Sequence, residues 1–120
     1  MKKRIMIVED DEGIIDTLCL ILEYAGYEVD VKRTSNEIEN SSFEVPNLIL
    51  LDLRLSGSEK SGAELCIFFK EHPNTCNIPV IIVSAERYIV EVAKDCRSDG
   101  YIKKPFDIDE MLDKIKSYLI

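Results

Sequence analysis

Three uninterrupted apolar runs, at residues 5–8 (Ile-Met-Ile-Val), 48–51 (Leu-Ile-Leu-Leu) and 80–83 (Val-Ile-Ile-Val), constrain the fold of this chain more than any other feature. A strand with one face in water alternates apolar with polar residues. These runs leave nothing for solvent, so each reads as a strand of a parallel sheet buried on both faces. Two weaker strand candidates accompany them: Glu28–Lys32, where Val29 and Val31 alternate with charges, and Tyr101 with Ile102, just after Gly100.

Helical spacing fills the gaps. Ile15, Leu18, Cys19 and Leu22 fall at i, i+3, i+4 and i+7, with Gly26 placed to end the helix, and Ile89, Val92, Ala93 and Cys96 repeat the pattern. Leu65, Phe68 and Phe69 mark another helix. Asp107 followed by Glu110 resembles a capping box ahead of the stripe Ile108, Met111, Leu112, Ile115 and Leu119. Residues 35–42 offer one good apolar anchor, Ile38, so a helix there is short and poorly supported. Strand followed by helix, five times over, predicts a doubly wound α/β fold, (βα)5, with helices on both faces of a parallel sheet and right-handed crossovers. Five strands suit the order 2-1-3-4-5, which places ligands at the carboxyl ends of the strands.

The 120 residues suffice for one domain with a substantial core, and 46% hydrophobic with 32% charged residues is globular composition. No stretch nears the roughly 20 apolar residues of a membrane span. The run after Met1-Lys2-Lys3-Arg4 is too short for a signal peptide, so a cytoplasmic protein without membrane contact is expected. Cys19, Cys66, Cys76 and Cys96 show no metal-ligand spacing, and the one histidine, His72, sits between Glu71 and Pro73 as exposed punctuation at a helix end. Zinc is not expected, and the cysteines read as reduced, small apolar side chains. A formal net charge of -8 repels phosphate backbones, which disfavours direct nucleic-acid binding.

The residues directly after each strand carry the chemistry, because a parallel sheet delivers them to one edge. Glu9, Asp10 and Asp11 come after the first strand, Asp52 after the third, Ser84 after the fourth, and Lys103, Lys104 and Pro105 after the fifth. Each has a bland explanation: a solvated loop start, with Asp11 or Glu12 capping the first helix, a turn residue at Asp52, an N-cap at Ser84 for a helix beginning near Glu86, and a surface charge at Lys104. Their joint occurrence at one edge favours a common site. Clustered carboxylates repel unless a cation joins them, and hard oxygen ligands with few protein donors suit Mg2+, which completes its shell with water and phosphate oxygen. Asp52 is then a nucleophile toward a phosphoryl group, while metal, Lys104 and Ser84 neutralise charge on its oxygens.

The segments Ile5-Met6-Ile7-Val8-Glu9-Asp10-Asp11, Leu48-Ile49-Leu50-Leu51-Asp52-Leu53-Arg54-Leu55, Ile81-Ile82-Val83-Ser84-Ala85 and Tyr101-Ile102-Lys103-Lys104-Pro105-Phe106 resemble the signatures of bacterial two-component, CheY-like receiver domains. The resemblance covers the whole chain, residues 1–120, and implies one receiver domain without an output domain. It implies that Asp52 takes a phosphoryl group from a phosphohistidine on a sensor histidine kinase or histidine phosphotransfer protein. Mg2+ would be held by Asp10, Asp52 and the backbone carbonyl of Arg54, with Glu9 acting largely through water. Ser84 would move toward the aspartyl phosphate, Lys104 would pair with it, and Tyr101 would turn inward, reshaping the face of helix four, strand five and helix five. The resemblance further implies a cis bond before Pro105, a tuning of phosphate lifetime by Arg54 and Glu86, and no enzymatic activity beyond the domain's own phosphorylation and autodephosphorylation. Its partners would include a downstream protein or fused output domain, and a homodimer formed on phosphorylation.

The chain departs from the family pattern in three places. Ser56 stands where proline is usual, with two extra residues before Gly62; residues 86–100 are about two short, so helix four is expected to be brief or irregular; and the stretch around helix two is reduced. These departures motivate an alternative, a receiver-like interaction module independent of phosphorylation. A flavin carrier or enzyme of similar topology would need a Ser/Thr/Gly-rich phosphate loop after strand one, where Glu9-Asp10-Asp11-Glu12 would repel a cofactor phosphate.

Overall fold

The structure is a computed structural model that describes residues 2–39 and 44–119. Each apolar run forms a strand of the sheet interior: β1 (Arg4–Val8), β3 (Leu48–Leu51) and β4 (Val80–Ser84), buried along almost their whole length. The two candidates with mixed character, β2 (Glu28–Lys32) and β5 (Gly100–Lys103), are only half-buried and form the edges. β5 extends one residue beyond the predicted pair on each side. All pairings are parallel in the order β2-β1-β3-β4-β5, the predicted doubly wound arrangement.

Alternation along the strands sorts the apolar side chains into two cores. Met6, Val8, Ile49, Leu51, Val80 and Ile82 meet α2 (Ser35–Glu39), α3 (Gly62–Glu71) and α4 (Ile89–Asp95) through Ile38, Leu65, Phe69, Ile89 and Ala93. Ile5, Ile7, Leu48, Leu50, Ile81 and Val83 meet α1 (Glu12–Tyr24) and α5 (Ile108–Tyr118) through Leu18, Leu22, Met111 and Ile115. Fully burying each such side chain contributes about 1.5–3 kcal/mol, so the sheet is held rigidly and its C-terminal edge is a fixed platform.

The helix ends explain where the elements stop. Asp11 caps α1 by accepting from the Ile14 amide at 3.0 Å. Gly26, at φ +96°, ends it in a Schellman motif, with Tyr27 N–H donating to the Leu22 carbonyl and Gly26 N–H to that of Glu23. Asp107 accepts from the Glu110 amide at 3.0 Å, the forward half of the predicted box. A full capping box occurs instead at Ser61 and Glu64, which sequence reading did not single out. α4 has seven residues, brief as expected, but it begins at Ile89 rather than near Glu86, with no side-chain cap at Tyr88. α2 has five described residues; of the predicted 35–42 segment, residues 40–42 lie outside the described ones.

His72 corrects the reading as exposed: it is half-buried at the end of α3, its ring 5.6 Å from that of Phe68 and its Nδ1 accepting from the Asn74 amide. All four cysteines are free, and the Lys104–Pro105 bond is cis, both as expected. Among the described residues, no helix is long and apolar enough to cross a membrane.

Candidate functional site

The register that pairs Val8 with Leu51 and Leu51 with Ile82 ends β1, β3 and β4 nearly level, so the residues just beyond them share one edge. Backbone bonds carry the alignment past the strands: the Asp52 amide donates to the Val8 carbonyl at 3.0 Å and the Lys104 amide to that of Ser84 at 2.9 Å. Glu9, Asp10, Asp52, Ser84 and Lys104 are thereby brought together, as the order of motifs predicted.

Glu9, Asp10 and Asp52 each offer a carboxylate oxygen, and the three oxygens lie within 4.8 Å of one another. Glu9 and Asp52 are buried, only 3% and 8% exposed. Lys104 is the local counter-charge: its Nζ donates to Glu9 Oε1 at 2.7 Å and lies 3.6 Å from Asp52 Oδ2. The second Glu9 oxygen accepts from the amides of Asp10 and Asp11 at 3.1 and 3.4 Å. Burial nevertheless pushes the Glu9 carboxyl up to about 7, a rise that Lys104 opposes and the neighbouring Asp52 reinforces. At Asp10, burial pulls upward but the Ser56 amide, donating to Oδ2 at 2.9 Å, prevails and holds the carboxyl below its ordinary value. Three carboxylates against one ammonium leave surplus negative charge on hard oxygens, a donor set that fits a divalent cation such as Mg2+.

A cleft of about 340 Å³ opens beside the cluster, lined by Asp52, Arg54, Ser84, Ala85, Glu86 and Lys104. Ser84 is buried, and its Oγ accepts from the Glu86 amide at 3.0 Å, which leaves its own proton to donate elsewhere. Arg54 and Glu86, to which the resemblance gives a common tuning role, form an ion pair that joins the loop after β3 to the loop after β4. That pairing had no signal in the sequence, because the residues are 32 positions apart (86 minus 54) and meet only through the sheet order.

Tyr101 is not part of the cleft lining. It is half-buried against the α3 and α4 side of the core, with the Lys114 ammonium 5.0 Å from its ring centroid and donating to its carbonyl at 2.5 Å. Pro105 follows the cis bond directly after Lys104. Two supporting features escaped sequence reading. The stronger Ser56 donor to Asp10 is a backbone group, which no side-chain pattern reveals. Gly62 is also required: a Cβ there would stand 1.9 Å from the Asp52 carbonyl oxygen.

The sequence model of the response regulator receiver domain matches residues 5–116. The chain is 35% identical over 97% of its length to the DNA-binding dual master transcriptional regulator RpaA of Synechocystis, of which it covers 48%. It spans about half the length of the curated relatives it matches. Among solved structures, it superposes on a CheY-like response regulator receiver domain protein from Methanospirillum hungatei with a TM-score of 0.80 and 34% identity, covering 99% of this chain and 94% of that one. The receiver domain of the sensor histidine kinase PA1611 from Pseudomonas aeruginosa, which holds a magnesium ion in its active-site cleft, shares the fold with a TM-score of 0.88, at 20% identity, covering 99% and 98% of the two chains. By sequence match and by fold together, the chain belongs to the response regulator receiver domain family.

Proposed function

We propose that this domain is a phosphoacceptor switch of a two-component relay in which Asp52 receives the phosphoryl group. The observation that carries the reading is the meeting of Asp52 with Glu9 and Asp10 on one side and with Lys104 on the other, beside a cleft open to solvent. An Asp52 carboxylate oxygen attacks phosphorus on a phosphohistidine of a histidine kinase or phosphotransfer protein. The P–N bond breaks, and the imidazole leaves with its electron pair and takes a proton from water.

Glu9, Asp10, Asp52 and the Arg54 backbone carbonyl would hold Mg2+, with Glu9 acting largely through water. The ion supplies charge neutralisation to the transferring group. Lys104, already within ion-pair distance of Asp52, pairs with a phosphoryl oxygen. The Ser84 hydroxyl donates to another, since its oxygen is occupied by the Glu86 amide while its proton is not. The Arg54–Glu86 pair borders the cleft and governs how readily water reaches the acyl phosphate, hence its lifetime. The domain promotes its own phosphorylation and autodephosphorylation and catalyses no other reaction.

Movement of Ser84 toward the phosphoryl group and inward rotation of Tyr101 reshape the face of α4, β5 and α5, where Tyr101, Lys103, Phe106 and Lys114 border a groove of about 410 Å³. A downstream protein, a fused output domain or a second copy of the chain reads that face. The test is incubation with Mg2+ and acetyl phosphate, followed by mass spectrometry. Wild type gains one phosphoryl group on Asp52, and Asp52→Ala gains none; an unmodified wild type, or equal labelling of the variant, would remove this reading.

A further inference from the structure

The loop from β3 to α3 is fastened more firmly than a connection needs. Its base closes through the Gly62 amide on the Leu53 carbonyl at 3.0 Å, and its tip through the Ser58 amide on the Leu55 carbonyl at 3.3 Å. Gly57, third in that turn, has φ +73°, while Ser56 is not among the positive-φ residues, which makes the turn type II. The turn itself makes no use of the N–H of its second residue, Ser56, and that N–H is the donor to Asp10 Oδ2 at 2.9 Å.

The other side of the turn is knotted to the first residue of α2. Ser58 Oγ accepts from the Ser35 amide at 2.8 Å, lies 2.9 Å from Ser35 Oγ and donates to the Lys60 carbonyl at 2.7 Å; Ser35 Oγ in turn accepts from the Lys60 amide at 3.0 Å. Ser35 is fully buried and Ser58 half-buried, so the Ser35 hydroxyl cannot trade its partners for water without cost. Lys60 adds an ion pair to Glu39 at 2.8 Å.

We infer that Ser58 is a positioning residue for the cation site: it anchors the turn on α2 so that the Ser56 amide holds the Asp10 carboxylate in the orientation that binds Mg2+. The inference rests on the reading of Glu9, Asp10 and Asp52 as the metal site. Asp10 is only partly buried and follows a strand, and the backbone donor of Ser56 is the strongest of the hydrogen bonds that act on its carboxylate. A backbone donor fixes one oxygen of a carboxylate that also offers an oxygen to the cluster, and partners of this kind are commonly worth tenfold or more in metal affinity.

Magnesium titration by calorimetry, with melting measured in chelator, separates positioning from bulk stability. Ser58→Ala, which unties the knot, weakens Mg2+ binding about tenfold, and Ser58→Thr, which keeps the hydroxyl, restores it. Ser56→Pro compared with Ser56→Ala isolates the N–H: both variants lose the hydroxyl that also bonds Asp10, only proline lacks the N–H, and proline suits the second position of a type II turn. Ser56→Pro weakens Mg2+ binding about tenfold relative to Ser56→Ala, while the metal-free melting temperatures of the two variants stay close. Should Ser58→Ala not fold, that comparison decides by itself. Mg2+ binding as tight or tighter in Ser56→Pro than in Ser56→Ala overturns the inference and leaves the metal site standing; a wild type that binds no Mg2+ overturns both.

Discussion

Lys104 holds two buried acids with one ammonium, and its worth depends on what else is bound. Without metal it is the only cation that contacts Glu9 and Asp52 among the described residues, so removing it leaves like charges facing each other in a low-dielectric pocket. Lys104→Met should cost about 2 kcal/mol in chelator, within the range for a hydrogen bond to a charged group, and the loss should shrink when Mg2+ supplies the missing charge. Chemical denaturation with and without Mg2+ measures both values, and an identical loss in the two conditions would refute this role for Lys104. Gly62 makes the complementary steric case. A methyl group 1.9 Å from the Asp52 carbonyl cannot be accommodated by a rotamer change, because the obstacle is backbone. Gly62→Ala should therefore destabilise the fold by about 3 kcal/mol, at the upper end of overpacking costs, and displace Asp52 enough to slow its labelling by acetyl phosphate. Glu9, Asp10, Asp52, Ser84 and Lys104 were legible because each lies at or just beyond the end of a strand. Gly62 and Ser56 were not, because their contributions are an absent side chain and, chiefly, a backbone hydrogen.

Elements were legible in proportion to the strength of their stripe and the clarity of their ends. α1 and α5 carry full apolar stripes and side-chain caps, and both form within a residue or two of the expected bounds. α4 was read from the same spacing and begins at Ile89, the first residue of its stripe, so the bland alternative of Ser84 as an N-cap for a helix near Glu86 fails. Ser84 does bind the Glu86 amide, yet the chain bends through residues 85–88 before the helix begins, since Ser84 belongs to β4 and faces the cleft. α4 is left with seven residues, no side-chain cap and two buried anchors, Ile89 and Ala93, whereas α3 has ten residues, a capping box and a fully buried Phe69. Native-state hydrogen exchange should find α4 amides less protected than those of α3, reflecting local opening of a lightly anchored element. Ser61→Ala, which deletes the box, should cost about 1 kcal/mol and narrow that difference. Equal protection of the two helices in wild type would contradict this account of α4 as the more lightly anchored element.

At the scale of the whole molecule, the placement of strands in the sheet was legible from their apolar content: three strands too apolar for an edge must lie inside, and two mixed strands must close the sides. Which charges pair across the top of that sheet was not, because Arg54–Glu86 and Glu9–Lys104 depend on loop paths that no periodicity encodes. The same architecture links the site to global stability. The carboxylates are mounted directly on the ends of β1 and β3, central strands whose side chains fill both cores, so the site is assembled in the folded chain and dispersed in the unfolded one. A ligand that binds only the folded state stabilises it by RT ln(1 + [L]/Kd), about 2.7 kcal/mol at a hundred times Kd. For a domain of this size that corresponds to a rise of roughly 10 °C in melting temperature. Magnesium should produce such a rise in wild type, chelator should abolish it, and Asp52→Ala should reduce it by removing one of the three converging oxygens. The metal-free Asp52→Ala protein should melt no lower than metal-free wild type, because losing one of three mutually repelling carboxylates relieves the folded state. A variant that melts lower in chelator would mean that Asp52 is held chiefly by its ion pair with Lys104, and that the strand ends are arranged for structure before chemistry.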